Sequence, residues 1–377
     1  ISFDCSENCG FNDVGTKIID IFKSSVILGD NHLTAFGGFA FDMNEDSSKI
    51  WSDIPKGRLM IPRYYFFNGG LSINMLMNKD EDLSSIKDKF ISYIDGLAQI
   101  LDRIADSIVK SVPTVEDMLK KGQYIDRIKS TIKTLNNTNN SIRKIVISRK
   151  KKLSSNIKMN TYSILKKLRM NCQDSMTFLY TFNNDNYIIG ATPELLLSTN
   201  KGKFITEALA GSNIEKNSRA FLINNKELTE QTIVLDYIIN TLKGHVDEIS
   251  YEKTPQLKDA YNIQHLRSKI EGRINSNINI LDLMNLLHPT PAISGYPTKE
   301  AKEIISSYKE GRGWYGGSIG WLDSNLNGSF YVNIRSGFNM KNDMYLFAGS
   351  GIMQDSDPEL EWQETERKFL TMLEAIQ

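Results

Sequence analysis

The sequence predicts an α+β fold built on large, mainly antiparallel sheets flanked by helices. Three observations lead there. Strand-like runs follow one another across short polar turns, as in residues 318–323, 329–339 and 345–348, joined by SNLNG and KND; tight turns of this kind connect antiparallel neighbours. Strand and helix runs do not alternate strictly, as a doubly wound parallel sheet would need. With 377 residues, 40% of them hydrophobic, the chain can fill a sizeable core and is neither disordered nor a disulfide-stapled miniprotein.

The elements follow in order. Up to about residue 67, short strands carry Gly and Pro punctuation, as in Phe36-Gly37-Gly38-Phe39 and Ile61-Pro62. Residues 81–136 turn long, charged and helical, with Ile91, Ile94, Leu97, Leu101 and Ile104 at helical spacing. The Asn-rich residues 136–140 break that pattern, and 144–148 (KIVIS) read as a strand. Residues 177–182 and 187–191 form a hairpin around Asn183-Asn184-Asp185-Asn186. A helix over 227–242 shows Ile233, Val234, Tyr237 and Ile238 on one face, the strand meander comes next, and a helix over about 358–376 ends the chain. There is no internal repeat and no linker.

Lys plus Arg number 45 and Asp plus Glu number 45, so the formal net charge is zero. No global field directs the protein to nucleic acid or anionic lipid, and neither is expected as a partner. The longest apolar runs are well short of the ~18 residues of a spanning helix, and no charged-then-apolar leader is visible. A soluble, cytoplasmic protein is expected. Cys5, Cys9 and Cys172 read as free thiols in a reducing compartment, since Cys5 and Cys9 alone cannot complete a metal site.

Chemistry-bearing residues are ambiguous one at a time. At ~100° per residue, Glu361, Glu364 and Lys368 fall within about a 60° arc of the last helix, either as a solvated stripe with an i,i+4 pair or as part of a site. Just before them, the glycines of Ala348-Gly349-Ser350-Gly351-Ile352 would let backbone N–H groups approach an anion. Glu230 lies on the apolar stripe of its own helix, where a carboxylate must be paired, protonated or metal-bound. Glu230, Glu361 and Glu364 together would supply hard oxygen ligands suited to Mg²⁺. Lys144 opens a strand, either as a snorkelling lysine or as a site residue. Arg335 alternates with Tyr331 and Asn333, ready for a carboxylate or a structural ion pair. His288 stands out only for preceding Pro289-Thr290-Pro291.

Taken in order, the segments resemble the chorismate-utilising enzymes, the family of isochorismate, salicylate, anthranilate and aminodeoxychorismate synthases. The resemblance rests on KIVISR (144–149), GATPELLL (190–197), ALAGS (208–212), KELTEQ (226–231) and HPTPAISGYP (288–297), followed by WYGGSIGWLD (314–323), NIRSG (333–337), LFAGSGI (346–352) and DSDPELEWQETERK (355–368). It runs from about residue 122 to the C-terminus; the first third matches more loosely, in FGGFAF (36–41). It implies one chorismate-binding enzyme domain over 1–377 with an anthranilate synthase component I-like fold, divided into a weakly matching part (1–121) and a motif-bearing catalytic part (122–377). Isochorismate synthase is the closest branch, because Lys144 opens KIVISR where ammonia-using relatives commonly carry Gln, and AGS replaces the AGT usual where pyruvate is eliminated. Salicylate synthase and a non-catalytic chorismate-binding paralogue are the alternatives. Gln231 stands where the family usually has His, and Gly317-Ser318 where Gly-Pro is common.

The resemblance also implies roles. Mg²⁺ held through Glu230, Glu361 and Glu364 would neutralise the ring carboxylate of chorismate. Arg335, Lys368 and the Gly349 N–H would hold the pyruvyl carboxylate, with Ser212 and His288 completing the substrate site. Lys144 would take a proton from water attacking C2, and Glu194 would protonate the departing C4 oxygen. No amidotransferase partner is implied, and the product would feed menaquinone or siderophore biosynthesis.

Overall fold

A computed structural model of the chain describes residues 2–5, 11–25, 33–44, 48–68, 70–75, 77, 80–102, 113–137, 139–213 and 219–377. The N-terminal part holds β1 (Ser2–Cys5), α1 (Phe11–Ser24), β2 (Thr34–Phe39), β3 (Gly57–Met60), β4 (Tyr64–Phe67), β5 (Gly70–Ile73), α2 (Leu83–Asp102) and β6 (Thr114–Asp117). Next come α3 (Lys121–Leu135), β7 (Lys144–Ser154), α4 (Thr161–Asn171), β8 (Met176–Thr181), β9 (Asn186–Thr192), β10 (Leu195–Asn200) and β11 (Lys203–Asn213). They are followed by α5 (Asn225–Leu242), β12 (Val246–Tyr251), β13 (Gln256–Ala260), β14 (Ile263–Ile274), α6 (Ile280–Leu287), β15 (Gly295–Tyr296) and α7 (Thr298–Ser307). The last elements are β16 (Ser318–Asp323), β17 (Gly328–Val332), β18 (Ser336–Met340), β19 (Asp343–Ile352) and α8 (Pro358–Ile376).

Local chemistry explains where the functional helices start. Asp357 caps α8, its carboxylate accepting from the N–H groups of Glu359 (2.8 Å) and Leu360 (2.9 Å), and Pro358 begins the first turn. Asn224 caps α5 through Lys226 N–H at 3.0 Å, and Asn279 forms a reciprocal box with Asp282 at the head of α6.

Two antiparallel sheets carry the fold. The larger runs β1-β3-β2-β16-β17-β10-β11-β14-β12, with β13 also on β14; the smaller runs β15-β7-β19-β18-β9-β8, with β6 also on β7. A continuous cluster of buried apolar side chains draws on both sheets and on α5 and α6, including Ile147, Phe338, Phe347, Phe330, Val332, Val234 and Leu283. Between the smaller sheet and helices α4 and α8 lies a second cluster, centred on Leu153, Ile189, Leu346, Leu168 and Phe369. The mixed helix and antiparallel-sheet class is as the sequence predicts.

Several elements differ from expectation, for reasons of tertiary context. The helical character of residues 81–136 is interrupted by β6, which adds to the edge of β7. Ile91 and Ile94 of α2 remain exposed; Ile104 and the side chain of Leu101 fall outside the described residues. The expected strand over 329–339 is two strands in different sheets, β17 in the larger and β18 in the smaller. The Gly-rich 348–352 segment is the C-terminal half of β19, paired with β7 from Ile352↔Ile145 to Ala348↔Arg149. Cys5 is disulfide-bonded rather than a free thiol, whereas Cys172 is free and buried.

Candidate active site

The chain passes between the two sheets twice at one place, and each crossing carries a functional side chain. Between β9 and β10 the link is Pro193-Glu194; between β17 and β18 it is Asn333-Ile334-Arg335. The crossings are tied together: Thr192 Oγ1 donates to Val332 O (2.6 Å), and Val332 N donates to Glu194 O (3.0 Å). Beside them lies a cavity lined by Glu194, Ser212, Glu230, Arg335, Gly349, Glu364 and Lys368 among others.

Glu194 is 5% exposed, and burial pushes its carboxyl up to about 7, against the opposing pull of the Lys144 charge. It therefore carries its proton over much of the neutral range.

Lys144 is fully buried at the start of β7, its Nζ 2.8 Å from Glu230 Oε1. The approach is close in distance but not aligned as a hydrogen bond, so it acts as a charge contact. Gly351 makes room for the pair. A Cβ built there would lie 2.3 Å from Glu230 Oε1 and 2.7 Å from Lys144 Cε.

Arg335 adopts a left-handed backbone at φ +51°, a conformation that costs roughly 1–2 kcal/mol in a non-Gly residue. The turn aims the guanidinium into the cavity. Nη2 donates to His265 Nε2 at 2.9 Å, while Nη1 is buried without a hydrogen-bond partner. Burial lowers Arg335 to about 10, which leaves it charged at neutral pH. His265 is held as one tautomer: its Nδ1–H donates to Gly211 O at 2.9 Å, so Nε2 is free to accept from Arg335. Burial, then the Arg335 charge, lowers His265 to about 3, keeping the imidazole neutral.

The acidic residues lie nearby, each beside a lysine. Glu361 is 1% exposed; its Oε1 accepts from Lys226 Nζ (2.8 Å) and Ser356 Oγ (2.7 Å), and its Oε2 is buried without a partner. Burial and then Glu364 raise its pKa. Burial, then Glu230, pushes neighbouring Glu227 up to about 7, while its Oε2 accepts from Ser212 N–H at 2.8 Å. Burial would also raise Glu364, but the Lys368 and Lys226 charges outweigh it and set Glu364 at about 2. Lys368 pairs with Glu364 and donates to Gly349 O at 2.8 Å. The stripe on α8 therefore faces the site rather than solvent, with Glu361 buried and Glu364 and Lys368 half-buried.

The structure thus gathers Glu194, Ser212, Glu230, Arg335, Gly349, Glu364 and Lys368 around one cavity, with Lys144 and Glu361 behind its wall. His288 is not among the lining residues. It caps the C-terminus of α6, its Nε2 lies 3.2 Å from both Ala40 O and Phe41 O, and its ring packs near Phe11. The contacts of a structural cap explain why it stands apart. His265, Lys226 and Glu227 escaped sequence reasoning, as did the part of Gly351 in making room for Lys144; the cue for His265 was a histidine in the segment IQHLR (263–267). Gln231, in place of the usual His, donates from Nε2 to Ser268 Oγ at 2.9 Å.

The donor set suits a hard divalent cation in kind: carboxylates that raise one another's pKa, and a buried Glu361 oxygen with no partner. Among the described residues, however, no three acidic or imidazole groups converge on one point. Each of the three expected ligands is instead engaged by a different lysine: Glu230 by Lys144, Glu361 by Lys226 and Glu364 by Lys368.

The family model "Chorismate binding enzyme" matches residues 1–377. The isochorismate synthase MenF of Bacillus subtilis is 29% identical over 369 residues, covering 90% of this chain and 74% of its own. Among solved structures, the menaquinone-specific isochorismate synthase MenF from Escherichia coli superposes with TM-score 0.81 at 22% identity, over 100% of this chain and 84% of its own. Anthranilate synthase component I from Streptococcus pneumoniae superposes with TM-score 0.80 at 18% identity, over 99% and 89%. Enzymes with different products thus share this backbone, and the side chains of the site must separate them.

Proposed function

We propose, from the premise that this chain belongs to the chorismate-binding enzymes, that it converts chorismate to isochorismate by adding water at C2 and expelling the C4 hydroxyl. One observation carries the reading: a single cavity combines a proton-bearing carboxyl, Glu194, with a guanidinium whose Nη1 is buried and unpartnered, Arg335. The reaction needs both an acid and an anion clamp.

Arg335 offers Nη1 to a substrate carboxylate, and the Lys368 ammonium, steered by Gly349 O, adds a second positive charge. Water attacks C2, the ring double bond shifts, and the C4–O bond breaks. Glu194 gives its proton to that oxygen, which leaves as water rather than as hydroxide. Lys144, held beside Glu230, accepts the proton of the attacking water as the neutral amine, its own proton having left first. The reverse reaction uses the same groups with roles exchanged. Glu230, Glu361 and Glu364 would hold Mg²⁺, which when bound would neutralise the ring carboxylate. Among the described residues no helix is long and apolar enough to cross a membrane, and the reading needs no partner chain.

The test is product analysis by chromatography after incubating the protein with chorismate, with Mg²⁺ and with excess chelator. Isochorismate formed only with the metal supports the whole reading. Isochorismate at full rate in chelator would remove the metal; salicylate with pyruvate would move the protein to the lyase branch; no product would sink the catalytic reading.

A further inference from the structure

A lysine outside the proposed catalytic set lies among the acidic side chains. Lys226 Nζ is 2.8 Å from Glu361 Oε1 and 3.4 Å from Glu227 Oε1, and its charge also acts on Glu230 and Glu364. Four carboxylates in a buried space cannot all be ionised without cations among them. Lys144 and Lys368 have other partners in the proposed reaction; the ion pairs of Lys226 are with Glu361 and Glu227. The sequence separation matters too. Lys226 lies in the first turn of α5 and Glu361 in the first turn of α8, so this contact joins two helices 135 residues apart.

We propose that Lys226 is a built-in counter-cation for this carboxylate cluster, occupying Glu361 when no metal is bound and swinging away when a divalent ion takes that carboxylate. The proposal rests on the metal-binding part of the reading above. Two observations support an exchange over a permanent ion pair. Glu361 Oε2 is buried and unpartnered although Oε1 already has two donors, so the lysine satisfies only half of the carboxylate. The Lys226 side chain is 24% exposed while that of Glu361 is 2% exposed, so the ammonium has a route to water and the carboxylate does not. A long flexible stem suits such movement. The function would be twofold: the metal-free protein keeps its acidic site from self-repulsion, and the metal affinity is tempered because each ion entering must displace a resident charge.

The experiment uses the full chain, stripped with chelator and then dialysed. Mg²⁺ is titrated calorimetrically into wild type and Lys226→Met. The variant should bind Mg²⁺ about tenfold more tightly, the scale of one lost charge-assisted hydrogen bond. In parallel, wild type is treated with an amine-acylating reagent with and without saturating Mg²⁺, and modification of Lys226 is read by peptide mass spectrometry. Labelling should be several-fold faster with Mg²⁺. Equal or weaker Mg²⁺ binding by a folded variant overturns the proposal and makes Lys226 a positioning residue for Glu361. If the variant does not fold, the labelling decides alone, and unchanged or slower modification overturns it. Wild type that binds no Mg²⁺ removes the proposal as well, and marks the metal reading as the part that failed; Mg²⁺ binding to wild type with unchanged labelling leaves the metal and removes only the exchange.

Discussion

Replacing Gly351 by alanine isolates the base side of the mechanism from the rest of the fold. The added Cβ would sit 2.3 Å from Glu230 Oε1 and 2.7 Å from Lys144 Cε, well inside ordinary van der Waals contact at ~3.5–4.0 Å. Both neighbours are ends of long side chains, which on a surface would swing aside. Here Lys144 is 0% exposed and Glu230 8% exposed, so each must move within a packed interior by about 1 Å. Overpacking of that kind costs typically ~1–3 kcal/mol of stability, and a misplacement of ~1 Å at a reacting group costs on the order of 10²-fold in rate. Gly351→Ala should therefore fold, melt a few degrees below wild type, and lose about 10²-fold in kcat from chorismate. Steady-state kinetics with circular dichroism melts reads both quantities. Gly349→Ala, two residues away on the same strand, is the matched control: its Cβ would find its nearest atoms at 3.1, 3.3 and 3.4 Å and should cost much less. A Gly351→Ala enzyme with near-native kcat would show that the positions of Lys144 and Glu230 are not critical to the chemistry, and the proposed base would fall with them.

Other outcomes follow from the same geometry. Glu194→Gln should stop turnover, a loss of ~10²–10⁴-fold in kcat, because an amide cannot protonate the leaving oxygen. Since the Glu194 carboxyl is raised from 4.5 to about 7, wild-type activity should decline as pH climbs through about 7, where the required proton is lost. Stability should fall as pH rises from about 4.5 through about 7 and level off above it, because over that span the folded state holds the proton and the unfolded chain does not; Glu194→Gln should therefore melt no lower than wild type at pH 8, and a lower melt there would refute the shift. Arg335→Lys should cost roughly 1.5–3 kcal/mol in kcat/KM, since an ammonium cannot hold both His265 and a carboxylate as the guanidinium does; retention of kcat/KM would make Arg335 structural. Lys144→Ala should abolish conversion from chorismate and from isochorismate alike, as microscopic reversibility demands, and activity in either direction would remove this lysine from the reaction.

Some of this was readable without any coordinates. The last helix was expected over about 358–376 and forms over Pro358–Ile376, because Asp357 and Pro358 encode its start within three residues. The hairpin around Asn183–Asn186 and the strand Ser318–Asp323 likewise depend on neighbours in sequence. Periodicity placed Glu230 on the buried face of α5 for the same reason. Membership of the chorismate-binding enzymes was legible in ordered motifs alone and agrees with the match over the whole chain.

Tertiary structure decided the rest, and the reason is the reach of the interactions. Nothing local in FYVNIRSGF (330–338) says that its strand must break at Arg335; the break exists because Val332 is held by the Glu194 crossing, about 140 residues earlier, while Ser336 must pair with Gly190 in the other sheet. The glycines at 349 and 351 suggested backbone N–H groups brought close to an anion, but pairing with β7 made them a strand in which the missing side chain of Gly351 leaves room for Lys144. His288 opens one of the family-like motifs, whose Ala292 and Ile293 line the cavity, yet the end of α6 delivers it to the backbone of Ala40 and Phe41. The lysine that neutralises each carboxylate could not be read from spacing except for Glu364 and Lys368, which are four apart on one helix. Residue types and local periods are written in short windows of sequence, whereas charge pairing in a buried site is set by which distant strands and helices meet.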